Sequence, residues 1–176
     1  MERTEASPVR IEPWSPDDLE LLRRANAPEL MDHLGGPESD EQLIGRHARY
    51  VALSADREGR GRMFRIALPG VAEAVGTIGF WERTWQGQEV YETGWAVLSE
   101  FQGRGIASAA TAAVAEQARA EHKHRYLHAY PSVENGASNG VCRKAGFALI
   151  GECEVEYPPG HQLLTNDWRL DLHPDR

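Results

Sequence analysis

The chain has 176 residues, 19 of them basic and 27 acidic, for a formal net charge of −8. With 41% hydrophobic and 26% charged residues, it fits one packed domain rather than a disordered or membrane-spanning chain. The acidic balance argues against a nucleic-acid partner, no apolar run approaches the ~20 residues of a membrane helix, and the first residues are too polar for a secretory signal. A cytoplasmic protein with no membrane partner is expected.

Residues 1–8 read as a loose leader. A short strand over 9–13 stops at Pro13 and Pro16. Ser15-Pro16-Asp17-Asp18 then opens a helix, with Ser15 as N-cap, Pro16 in the first turn and Leu19, Leu22 and Ala25 on the apolar face. Pro28 permits a second short helix carrying Leu30, Met31 and Leu34, which ends at Gly35-Gly36-Pro37. Ser39 followed by Gln42 has the form of a capping box. Leu43, Ile44, His47, Tyr50 and Val51 then fall at helical spacing to about Ser54, predicting one buried stripe. Residues 56–62 make a polar loop.

From Met63 the period changes to two. Strands are expected over 63–68, 74–81 and 90–98, with turns at Pro69-Gly70 and Gln86-Gly87-Gln88, which makes an antiparallel meander. The third strand breaks at glycines into an alanine-rich helix from Ile106 to about Glu121. A strand follows over 125–130 and stops at Pro131. The next helix, 135–145, is closed by Gly146 as a left-handed cap. Strands over 147–157 and 163–172 flank Pro158-Pro159-Gly160, and 173–176 read as a loose tail. The fold class is therefore α/β or α+β: one domain over 1–176 with a mixed sheet of about seven strands and four to five helices.

A strand that breaks at glycines directly into a helix is a device for holding phosphate. Glycine lets the backbone come close, and the N–H groups of the first helical turn point at the anion. A dinucleotide fingerprint would need a third glycine after a βαβ unit, and a P-loop would need Gly-Lys-Ser/Thr; neither is present. Cys142 and Cys153 form no CxxC pair and read as reduced thiols. His122, His124 and His128 lack the spacing and the further ligands of a zinc site, so no metal is expected.

Gln102-Gly103-Arg104-Gly105-Ile106-Ala107 resembles the Q/R-x-x-G-x-G/A signature of the GNAT N-acetyltransferases. A second block, from Asn135 to Phe147, is similar to the N-x-A-S-x-x-V-x-x-K-x-G-F segment of their RimJ/RimL-like branch. The motifs cover about residues 90–150, and the element order extends the likeness over most of the chain. The resemblance implies a GNAT fold whose sheet is split near acetyl-CoA, the cosubstrate. Backbone N–H groups from Gly103 to Ala107 would hold the diphosphate. Gln102 and Ile106 belong to the same turn, and Arg104 either adds charge or is simply solvated. The backbone of Val97, Leu98 and Ser99 would pair with pantetheine, Asn135 would contact it, and Ser138 would sit near the sulfur.

The implied reaction is direct transfer of acetyl to a primary amine, on a protein N-terminus or a small cationic molecule. An ammonium must lose a proton before it attacks, and the leaving thiolate benefits from a donor. Glu92 is the first candidate base and is equally readable as a cross-strand polar residue; Glu82 is second and His128 third. The family's frequent tyrosine acid falls on Cys142, which leaves Ser138 or water as the donor. The acceptor site is expected around Met31, His33, Leu34, Trp81, Trp85, Tyr157, His161, Asn166 and Trp168. A monomer or a homodimer is compatible with the sequence, and a non-catalytic acyl-CoA sensor is the alternative to an enzyme.

Overall fold

The computed structural model describes residues 8–157 and 159–175. The leader expected at 1–8 lies outside them except for Pro8, as do Pro158 of the final connection and Arg176 of the tail.

Strand β1 (Arg10–Pro13) leads into a tight turn, Pro16–Asp18, that precedes α1 (Leu19–Ala25). The Ser15 hydroxyl accepts the Asp17 N–H at 3.0 Å, and an Asp18 oxygen accepts the Ser15 N–H at 2.8 Å. The helix start is thus fixed by the residues the sequence offers for it. The short α2 (Pro28–Met31) runs through one more turn into left-handed Gly35. Helix α3 (Asp40–Ala55) opens with the Ser39–Gln42 capping box.

The buried stripe of α3 is narrower than its periodicity predicts. Leu43 is buried and His47, Tyr50 and Val51 half-buried, but Ile44 is 48% exposed. The helix rests mainly on α1 and β2, and a residue about 100° round from Leu43 passes beyond that contact. Leu34 is likewise exposed.

The remaining elements follow the expected order: β2 (Gly61–Ala67), β3 (Gly76–Trp85), β4 (Gln88–Val97), α4 (Ile106–Ala120), β5 (Tyr126–Ala129), α5 (Gly136–Lys144), β6 (Ala148–Glu156) and β7 (Gln162–Asp171). They form one seven-stranded sheet in the order β1-β2-β3-β4-β5-β7-β6. The β4–β5 pair is parallel and its other neighbours are antiparallel. The meander is present, and its β3–β4 hairpin turns on Gln86 (φ 50°) and Gly87 (φ 78°), the two positive values a two-residue type I′ loop needs. Residue 173, expected in the tail, is held: the His173 ring stacks on His122 at 5.5 Å.

Helices cover the sheet unequally. On one face α4 and α5 bury Ile78, Phe80, Tyr91, Val97, Leu127 and Trp168. On the other, α1 and α3 cover only the β2–β3 side, around Met63, Trp81 and Leu98. Because successive strand residues point to opposite faces, Glu92 and His128 lie opposite Tyr91 and Leu127. They belong to the face that α1 and α3 leave partly open.

Candidate active site

The sheet parts between β4 and β5. Only Tyr91↔Leu127 and Glu92↔His128 are paired. Beyond them β4 stays on β3 as far as Val97↔Gly76. The chain after β5 instead stays on the β7 side, where the Pro131 carbonyl accepts the Asn166 N–H at 2.9 Å. Pro131 has no N–H to offer back across the gap. A wedge is left with backbone groups on both walls.

Which groups face the wedge follows from the register. The Leu98 N–H donates to the Val75 carbonyl at 2.9 Å, so Leu98 and every second residue back along β4 point their backbone groups at β3. Those of Thr93, Trp95 and Val97 point the other way. The Val97 carbonyl is already held by the Gln102 side chain at 2.9 Å. Of the three residues expected to face pantetheine, Val97 is therefore half engaged, Leu98 is turned to β3, and Ser99 has left the strand for the turn Ser99–Phe101. Trp95, which the sequence did not single out, presents both its N–H and its carbonyl to the wedge. Only the register with β3 reveals this one-residue parity.

The end of the wedge meets the start of α4. Gly103 and Gly105 have φ of 77° and 75°, a left-handed conformation that disfavours any side chain. A Cβ added at either would meet no atom within 4 Å, so open space lies above both. Their role is to set the backbone, not to relieve crowding by protein. Gly105 is the N-cap and supplies no side-chain cap, and the first intrahelical bond is Ala109 N–H to the Gly105 carbonyl. The N–H groups of Ile106, Ala107 and Ser108 precede it and point out of the helix. Arg104 lies on the Phe101 ring at 5.5 Å and donates to the Glu100 carbonyl at 3.2 Å. The result is a cradle of outward-pointing N–H groups at an uncapped helix start, continuous with the wedge between β4 and the chain after β5.

Across the wedge, α5 begins at Asn135, whose side-chain oxygen accepts the Ser138 N–H at 3.1 Å. Asn135 is thus an N-cap whose amide nitrogen has no partner among the described residues. The Ser138 hydroxyl has no hydrogen-bond partner among the described residues and is half-buried. Cys142 is fully buried, and burial pushes its thiol up to about 12. Burial also pushes the Cys153 thiol up, and its sulfur lies 3.2 Å from the Thr165 hydroxyl. Neither is an activated nucleophile.

On the open face, Glu92 accepts from the Trp81 indole at 2.8 Å and pairs with Arg83. Both its oxygens are engaged. Arg83 lies over the rings of both Trp85 (4.9 Å) and Tyr130 (4.7 Å), which also touch each other at 4.9 Å. Glu82 points to the other face and pairs with Lys123, so it is not brought to the site. The three histidines separate: His122 stacks on His173, His124 packs on Tyr91 at 4.6 Å, and His128 meets Asp167. Among the described residues no group of three or more His, Cys, Asp or Glu side chains is placed to hold a metal ion.

Of the aromatic acceptor candidates, Trp81 and Trp85 border the site, but Trp168 and Asn166 do not line it. Both donate to the Asn139 oxygen at 2.8 Å and serve to fix α5 on β7. Tyr157 lies within the field of the Glu38–Arg46 ion pair at the start of α3, while His33 and His161 are exposed. Tyr130 was legible only as the end of a strand. Its hydroxyl is buried with no partner among the described residues, and burial raises its pKa.

No curated protein matches the chain by sequence. Solved structures match its fold across most of their length. A GNAT-family acetyltransferase from Bacillus anthracis is 20% identical with a TM-score of 0.75, over 96% of this chain and 98% of that one. An acetyltransferase from Salmonella typhimurium that modifies the N-terminal serine of ribosomal protein L7/L12 is 21% identical, with a TM-score of 0.74 over 93% and 95%. The aminoglycoside acetyltransferase AAC(6')-Ib in complex with coenzyme A is 16% identical, with a TM-score of 0.72 over 93% and 94%. At these identities the likeness is one of fold. Residues 9–148 match the family model of the acetyltransferase (GNAT) domain, most of the chain and all of the split and cradle, and the chain belongs to that family.

Proposed function

We propose that the chain transfers the acetyl group of acetyl-CoA to a primary amine by direct attack. The observation that carries this reading is the continuity of the β4–β5 wedge with the uncapped start of α4, under open space at Gly103 and Gly105. The N–H groups from Gly103 to Ala107 would hold the diphosphate with help from the helix dipole. Trp95 and the Val97 N–H would pair with the pantetheine amides, so that the ligand completes what a closed sheet would have bonded internally. Gln102 keeps the turn tied to β4.

Bound acetyl-CoA supplies a thioester whose carbonyl carbon takes the amine while the carbon–sulfur bond breaks. The Ser138 hydroxyl, free of other partners among the described residues, is the donor to the departing sulfur. Glu92 holds Arg83 and Trp81 in place, and its charge draws an ammonium toward the split. Held by the Arg83 cation and the Trp81 indole, it is assigned this positioning role rather than the proton transfer.

Mass-spectrometric assay of the protein with acetyl-CoA and a panel of peptides, polyamines and aminoglycosides tests the reading. An acetylated amine is the expected product. Glu92→Gln should lower kcat/KM about tenfold, within the range of a lost charge-assisted interaction, and leave the shape of its pH profile intact. Loss of the low-pH limb in that variant would return the base to Glu92. Tight CoA binding with no amine acetylated would make the protein an acyl-CoA sensor.

A further inference from the structure

The parting of β4 and β5 leaves one buried titratable pair without a role. His128 and Asp167 are each about 5% exposed, and His128 Nδ1 lies 2.6 Å from an Asp167 oxygen. The other Asp167 oxygen accepts the Trp85 indole N–H at 3.2 Å, so the carboxylate is fixed from two sides. A carboxylate on Nδ1 makes that nitrogen the donor and leaves Nε2 with a lone pair. Nε2 has no partner among the described residues, and His128 lines a cavity of about 220 Å³ together with Trp85, Val90, Tyr126, Asp167 and Arg169.

The position of His128 in the sheet is more telling than its burial. It is the partner of Glu92 in the last pair before the strands part, and it shares Glu92's face. An acyl arm lying in the wedge would bring its thioester to that pair. The cavity opens on the same face of the sheet, opposite α4, from the hairpin end of β4 and β5, and His128 is the residue it shares with the last pair. Of the two ionisable groups in the pair, Glu92 is occupied by Trp81 and Arg83, whereas the imidazole is oriented on one nitrogen and open on the other.

We propose that His128 takes the proton of the attacking amine on Nε2, that Asp167 is its positioning residue, and that the cavity lined by His128 is the route by which the acceptor amine enters. The proposal rests on the acetyl-transfer reading above. The amine nitrogen forms a bond to the thioester carbon and its proton passes to Nε2; the carbon–sulfur bond breaks as the sulfur takes the Ser138 proton, and the imidazolium releases its proton to water, from which Ser138 regains one. Asp167 holds the ring in one tautomer, the arrangement by which a base is oriented by a third group.

The groups facing His128 do not compete for Nε2. From β3 and β4, Arg83 is neutralised by Glu92. From β5, the Tyr130 ring lies parallel to the imidazole at 5.7 Å, and the Tyr126 ring meets it edge-on at 6.5 Å. From β7, Arg169 opposes His128 in register, but its guanidinium rests on the Tyr126 ring at 4.3 Å. From β6, Cys153 pairs with Thr165, and Ile150 supplies an apolar edge to the cavity.

The test uses the intact protein and an amine from the panel that it acetylates. His128→Gln should lower kcat by about 10²- to 10⁴-fold, the usual contribution of a positioned base, with acetyl-CoA affinity unchanged. The low-pH limb of the rate should disappear with it, because only a neutral imidazole accepts a proton. Asp167→Asn should keep CoA binding but alter both the rate and the pH profile. Nitrogen NMR of the wild-type imidazole, which needs no variant to fold, should show Nδ1 protonated and Nε2 bare. Near-normal turnover in His128→Gln with the low-pH limb retained, or an Nε2-protonated tautomer, overturns the proposal and leaves acetyl transfer standing. A wild-type protein that acetylates no amine removes both.

Discussion

Gly105→Glu should abolish measurable acetyl-CoA binding while the protein still folds. Gly105 sits at φ 75° as the cap of α4, where a side chain of L configuration costs about 1–2 kcal/mol. The new carboxylate would project into the open space above the turn and meet the diphosphate with like charge. It would also claim the N–H groups the anion needs. The repulsion and the loss of those N–H groups together exceed about 3 kcal/mol, which is a rise of over 100-fold in Kd, while the backbone strain lowers the stability of the fold. Gly105→Ala separates the causes. Its methyl meets no protein atom, so it carries the backbone strain alone, and because the free turn can shed about 1–2 kcal/mol by moving off φ 75°, binding should weaken by only about tenfold. Calorimetric titration with acetyl-CoA and with CoA reads both variants, and circular dichroism confirms the fold. An unchanged Kd in Gly105→Glu would put the diphosphate elsewhere.

Asn139→Ala should be the most damaging single change to stability outside the apolar core. Its side-chain nitrogen donates to the Ser132 and Asn135 carbonyls at 2.9 and 2.8 Å. Its oxygen accepts from Asn166 and Trp168, both at 2.8 Å. Asn139, Ser132 and Trp168 are all buried, so water cannot replace what is lost. With about 1–3 kcal/mol for each group left unsatisfied and some relaxation, the loss should reach about 3–4 kcal/mol in urea unfolding. The same bonds hold the first turn of α5 against the loop and β7. The Asn135 cap and Ser138 should therefore move, and activity should fall even at temperatures where the variant is folded. A loss under about 1 kcal/mol would show that the network is not the clamp it looks to be.

Local signals in the sequence located most of the fold. Ser15 and Ser39 are caps, Gly146 ends α5, and the alternation from Met63 onward marks a meander, because each of these depends on neighbours a few residues away. The glycine turn was legible for the same reason. What was not legible depends on pairing between distant strands. The register of β4 on β3 decides that Trp95, not Leu98, faces the wedge, and a shift of one residue would have reversed it. The same register sets Trp81 opposite Glu92 and so engages the carboxylate that the sequence offered as a base. His128 stood third among the candidates because its partner Asp167 lies 39 residues away on β7. Asn139 drew no attention because all its value comes from Ser132, Asn166 and Trp168. Ile44 fits the helical period of α3 but is exposed, because α3 rests on α1 and β2 through a stripe narrower than that period implies.

The central claim is that one continuous feature, the β4–β5 wedge and the start of α4, holds acetyl-CoA. A crystal structure of the protein with CoA bound measures it most directly. The account predicts phosphate oxygens about 3 Å from the N–H groups between Gly103 and Ala107, with a pantetheine amide bonded to the Trp95 backbone. CoA bound away from the wedge, or β4 and β5 closed against each other beyond Glu92 and His128, would contradict it.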